Sequence, residues 1–199
     1  HLDWDIFSQQ SFTLELWVKH NDLSSSQFYI SHYQDWDNGW MLQHNSGSGL
    51  RFRAVSEGSE IVRLEGPQIN DSLWHHIAVI KAGSRYGLYL DGSQAAYQNT
   101  ASGVSFSGSL YIASNGGHSS FFDGRLDEIR ITHENSFEAA PNSALSDTIS
   151  VPSAPYGIDM SLSVEPAEIR LGYEQEYSVC AEWLDEIPDF DPDNYDYKY

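Results

Sequence analysis

The sequence has only one cysteine, Cys180, so no disulfide can form within the chain and cysteine usage excludes neither an oxidising nor a reducing compartment. Nowhere does it approach the roughly 18 consecutive apolar residues of a membrane span, so insertion into a bilayer is not expected. It opens on His1 rather than Met and shows no signal peptide, and it is read as a piece of something longer. Positive charge is scarce: ten Lys and Arg stand against 29 Asp and Glu, a net charge of −19. Such a surface repels phosphate backbones and anionic lipid, which excludes nucleic acid as an expected partner. Helical periodicity is also missing, and only Asn70–Leu73 and Ser136–Ala140 suggest short helices.

The 199 residues are 40% hydrophobic and 14% aromatic, enough for a folded core. Period-2 alternation dominates. In Ser11–Lys19 the residues Phe12, Leu14 and Leu16 share one face, with a possible register change at Trp17 and Val18. Similar runs cover Gln27–Ser31, Gly39–His44, Leu50–Val55, Ile61–Leu64, His75–Lys81, Tyr86–Leu90, Ser109–Ala113 and Arg125–Thr132. Turn-forming clusters separate them, among them Asp35-Trp36-Asp37-Asn38-Gly39, Asp91-Gly92 and Asn115-Gly116-Gly117. The expected class is all-β, with antiparallel strands closing into a sandwich, jelly roll or barrel; Trp17 and Trp74 are assigned to its core. Alternation fades over residues 134–157, read as a closing segment and linker, and resumes in residues 158–199 as a partial β module with an acidic tail. Residues 156–199 carry 12 acids and two bases, suited to a solvated tail or to docking a basic partner.

Three segments, in order, resemble the laminin-G-like type of concanavalin-A-like jelly roll. They are Phe12-Thr13-Leu14-Glu15-Leu16-Trp17-Val18-Lys19, then Trp74-His75-His76-Ile77-Ala78-Val79 with Tyr89-Leu90-Asp91-Gly92, then Leu110-Tyr111-Ile112 with Phe122 to Ile131. The resemblance spans residues 1–133 and implies two antiparallel sheets packed face to face. Met160–Trp183 is similar to the opening strands of immunoglobulin-like repeats, with Cys180 at the position of a core cysteine. Chains that join such modules resemble bacterial surface adhesins and phage appendage or tail proteins, so an extracellular, cell-surface or virion-surface location is implied.

No catalytic constellation is expected. Asp123, Asp127 and Glu128 come nearest to a glycosidase carboxylate pair, yet they lie in the closing-strand motif, where they read as turn and register control. His75 and His76 have no accompanying Gly-x-Ser-x-Gly elbow. In jelly rolls of this superfamily a late aspartate holds a structural calcium together with backbone carbonyls, and Asp127 is the matching position. Its alternative role is a strand-end carboxylate bonded to neighbouring amides. Sugar recognition needs flat apolar faces beside fixed polar groups. Tyr33, Asp35, Trp36, Asp37 and Asn38 in one loop, with Asn115 and His118 in another, supply that composition. The expected function is recognition of a glycan or cell-surface ligand through rim loops. The alternative is a structural or decoration module that touches protein neighbours within a larger assembly.

Overall fold

The computed structural model describes residues 4–101, 103–116 and 120–151, together with the backbone of two short strands further on. The chain divides into two compact units, His1–Pro155 and Tyr156–Tyr199.

Ten strands build the first unit: β1 (Ser11–His20), β2 (Gln27–Asp35), β3 (Asn38–Asn45), β4 (Gly49–Ser56), β5 (Ser59–Glu65), β6 (His75–Ala82), β7 (Arg85–Leu90), β8 (Ser93–Asn99), β9 (Ser109–Ile112) and β10 (Gly124–Thr132). They form two antiparallel five-stranded sheets, ordered β10-β1-β6-β7-β8 and β5-β4-β3-β2-β9. The result is a jelly-roll sandwich. Alternation sends Phe12, Leu14, Leu16 and Val18 of β1 inward against Ile77 and Val79, Tyr86 and Leu88, and the opposite sheet's Tyr29, Trp40, Leu42 and Phe52. Phe7 lies among these rings, 5.5–6.1 Å from Phe12, Phe52, Tyr86 and Phe106. Buried Lys81 fixes the approach to β1 by donating to the carbonyls of Phe7 and Gln9 at 3.2 and 2.6 Å.

Several local expectations are corrected. The alternation of β1 runs unbroken through Trp17 and Val18; the irregularity lies across the ladder in β10, between the pairs Glu15↔Arg130 and Trp17↔Asp127, where Glu128 adopts φ 47. Sequence reading also passes over β8, whose Gln-Ala-Ala-Tyr-Gln run lacks branched residues. It forms because Asp91 (φ 49) and Gly92 (φ 83) make the two-residue turn that matches strand twist. Residues 70–73 and 136–140 are bends and turns, not helices: Asp71 accepts from the Leu73 amide and Asn135 from that of Ala139. Trp74 is half-buried rather than core.

Residues 134–151 form a strap over the outer face of the β10-β1-β6-β7-β8 sheet. Ala139 and Ile149 bury themselves on Ala78, Ile80 and Tyr89, with Phe137 and Val151 alongside. Polar contacts peg it down: the Thr13 hydroxyl donates to the Glu134 carbonyl at 2.8 Å, and the Tyr89 hydroxyl to Asp147 at 2.5 Å. The strap also pairs with β8 through Ser93↔Thr148. At the neighbouring margin the Gln98 side chain of β8 reaches β5, accepting from the Arg63 amide at 2.7 Å and donating to the Ile61 carbonyl at 3.3 Å.

In the second unit the backbone of Ser163–Glu165 pairs antiparallel with Glu168–Arg170, forming strands β11 and β12. Cys180, the other expected strands of that unit and the acidic tail lie outside the described residues.

Two predictions follow from this packing. A chain ending at residue 133 exposes Ala78, Ile80 and Tyr89, and is expected to melt far below, or aggregate beside, one ending at 151; differential scanning calorimetry of the two tests this. His75 sits between Asp91 (2.7 Å from Nδ1) and Asp71 (2.9 Å from Nε2). Burial alone would lower its pKa, but the hydrogen bonds and charges of the two carboxylates outweigh it and raise the group above 6.5. A raised folded-state pKa means this clip stabilises fully below pH 6.5 and is lost as pH climbs through the folded value. Denaturant unfolding should therefore show a loss of stability over that interval which His75→Gln abolishes.

Candidate functional site

With one sheet covered, the outer face of the β5-β4-β3-β2-β9 sheet is the place where side chains converge on open space. A cavity of about 260 Å³ opens there. It lies just below the range of drug-sized ligand clefts, about 300 to 1,000 Å³, and suits one sugar ring rather than an oligosaccharide.

The rim is a rigid turn. Between β2 and β3 the Asp35 carboxylate accepts from the Asp37 amide at 2.9 Å and from the Asn38 side chain at 3.0 Å, while Asn38 Oδ1 accepts from the Glu57 amide at 3.0 Å. The Gly58 amide donates to the Asp37 carbonyl, so the β4–β5 turn is tied to the β2–β3 turn. These bonds hold the intervening Trp36 outward at 78% exposure, with its ring edge-on to Tyr33 at 5.7 Å. Behind Tyr33 lies Gly116 (φ +57), where a Cβ would stand 3.0 Å from the tyrosine ring, so only glycine lets the two meet. The Ser31 hydroxyl, donating to the Ser114 carbonyl and accepting from the Gly116 amide, brings Asn115 to the same cavity.

The floor comes from outward-facing strand positions. Phe28 and Val55 are buried and apolar, Met41 is half-buried, and Gln43 is only 6% exposed. The Gln43 side-chain amide has no hydrogen-bond partner among the described residues. Asn115 Oδ1 is likewise enclosed without a donor. Arg51 and Arg53 line the far wall. They belong to a charge ladder: Arg51 to Glu65 at 2.8 Å, Glu65 to Arg63 at 2.7 Å, Arg63 to Glu60 at 3.5 Å and Glu60 to Arg53 at 2.7 Å. Hydrogen bonds from Arg63 and Arg51 hold the Glu65 carboxyl below the usual carboxylate range. Arg53 Nε faces Glu60 out of hydrogen-bond alignment, so that contact is an ion pair.

Of the residues singled out from sequence, Tyr33, Asp35, Trp36, Asn38 and Asn115 line this one cavity. Asp37 contributes its backbone to the turn and its side chain does not line the cavity. His118 lies outside the described residues. Phe28, Met41, Gln43, Arg51, Arg53 and Val55 were not anticipated, although strand alternation puts the last five on the outward face; Phe28 joins them through the register shift between Phe28 and Ile30.

Asp127 lies apart, exposed on β10, its Oδ1 accepting from the Glu128 amide at 2.8 Å and so supporting the bulge. Among the described residues no three His, Cys, Asp or Glu side chains gather where they could hold a metal. Calcium takes six to eight oxygens, backbone carbonyls included, so a site at Asp127 would draw on carbonyls beside its carboxylate.

Residues 2–136 match the sequence profile of Laminin_G_3, described as the concanavalin A-like lectin/glucanases superfamily. The chain belongs to that family. Among solved structures it is similar to the CBM40 module of the Ruminococcus gnavus IT-sialidase bound to α2,3-sialyllactose, with 13% identity, TM-score 0.56, and 67% of this chain and 80% of that one covered. It is also similar to domains LG4-5 of the mouse laminin α1 chain, with 13% identity, TM-score 0.50, and 65% and 36% covered. At such identities the likeness is one of fold. No curated protein matches the sequence.

The turn and its tryptophan should separate cleanly in mutagenesis. Trp36→Ala is expected to change unfolding free energy by less than about 0.5 kcal/mol, as exposed positions do. Asn38→Ala, which unties both turns, should cost about 1 kcal/mol or more. Urea denaturation of the two variants checks the pair.

Proposed function

We propose that the jelly roll is a recognition module that binds glycan without turnover, in the cavity on its open sheet. The observation that carries this reading is the coincidence, in one cavity of sugar-ring size, of an outward-held indole with the Gln43 amide and the enclosed, donorless Asn115 Oδ1. Aromatic faces take the C–H side of a sugar ring and fixed amides take its polar substituents. Family membership and the fold shared with a carbohydrate-binding module agree with it.

Absence of turnover is supported by the carboxylates. Glycoside hydrolysis uses two of them, about 5–9.5 Å apart. Asp35 is the one acidic side chain lining the cavity, and both its oxygens are engaged by the turn. No helix among the described residues is long and apolar enough to cross a membrane, and an extracellular, cell-surface or virion-surface setting suits a module of this kind.

A glycan array probed with the chain and with Trp36→Ala is the test. Retention on a defined set of glycans, lost in a variant that melts like the parent, is the expected result. A blank array from folded protein would overturn this reading and favour a decoration module that contacts protein neighbours.

A further inference from the structure

Resting on that reading, we infer that the ligand is a 2-acetamido sugar, its pyranose ring on Trp36 and Tyr33 and its acetamido group in the floor of the cavity. The floor is built for an amide. Gln43, 94% buried by its 6% exposure and lining the cavity, offers one carbonyl acceptor and an NH₂ donor that the protein itself leaves unused. Beside it Asn115 Oδ1 is enclosed without a donor, and buried polar atoms in native proteins are nearly always paired, so this one points to what enters the cavity. A ligand N–H and C=O pair with a primary amide head to tail. Asn115 Oδ1 thus adds a second acceptor, and the guanidinium of Arg53, which lines the same cavity, adds donors.

The alternatives fit less well. A carboxylate would suit Arg53 and the Gln43 NH₂, yet it brings no donor for the Gln43 carbonyl or for Asn115 Oδ1, and Glu60 already compensates the Arg53 charge. A ring bearing hydroxyls alone could satisfy Gln43 but would press hydroxyls on Phe28, Met41 and Val55. An acetamido group brings one donor, one acceptor and a methyl, and each has a counterpart in the floor.

The experiment titrates the 199-residue chain by ligand-observed NMR and calorimetry. The ligands are the methyl glycosides of N-acetylglucosamine and N-acetylgalactosamine, those of glucose, galactose and glucuronate, and Nε-acetyl-lysine amide, which has the same group without a ring. At least one acetamido sugar should bind ten-fold or more tighter than its parent hexoside, with the strongest saturation transfer at the acetyl methyl. Gln43→Glu, nearly isosteric and checked for an unchanged melting temperature, should remove at least ten-fold of that preference. Asn115→Asp provides an independent second variant should the first fail to fold. Equal or tighter binding of a parent hexoside or of glucuronate overturns the acetamido assignment while leaving the glycan site standing. Equal binding of acetyl-lysine amide overturns the sugar as its source. If no saccharide binds the folded chain, the reading of the cavity as a glycan site falls as well.

Discussion

The covering of one sheet by residues 134–151 is the constraint on which the rest of the structure depends. A sandwich has two outer faces, and each could receive a ligand. Here Ala78, Ile80 and Tyr89 make one of them apolar, and the strap fills it with Ala139 and Ile149. The energy is hydrophobic, while the direction comes from the Thr13–Glu134 and Tyr89–Asp147 hydrogen bonds, which fix where the strap lies. Among the described residues no such strap lies on the other face, which carries arginines, glutamates, a glutamine and a rim of aromatics.

Charge works in the same direction at a smaller scale. In a chain of net −19, three of the ten cationic residues stand on β4 and β5, interleaved with Glu60 and Glu65. Exposed ion pairs of this kind add little stability. Their effect is to leave the Arg53 guanidinium, which lines the cavity, with its charge already balanced by Glu60. A neutral ligand can use such donors without an excess charge being buried.

The fold was legible in the sequence because period-2 alternation and turn chemistry are local signals, and nine of the ten strands of the first unit carry both. β8 was not, since its residues have weak strand preference and its pairing is imposed by the Asp91-Gly92 turn and the strap. The bulge opposite Leu16 was misplaced for a related reason: two adjacent apolar residues in β1 look like slippage, whereas the extra residue sits in β10 at Glu128. Half of the site was legible. A tryptophan among Asp and Asn has no good interior solution, which flagged the rim. The floor was hidden because Gln43 and Arg53 look like ordinary solvent-facing strand residues until the β2–β3 turn and Asn115 join them around one cavity.

The Gln98 amide that spans from β8 to the backbone of β5 has a consequence for life in a crowded assembly. An edge strand with open donors and acceptors is a template for the matching strand of another molecule. By occupying the Arg63 amide and the Ile61 carbonyl, one side chain takes the place that an incoming strand would need. That margin of β5 is thereby closed to strand addition at these two groups.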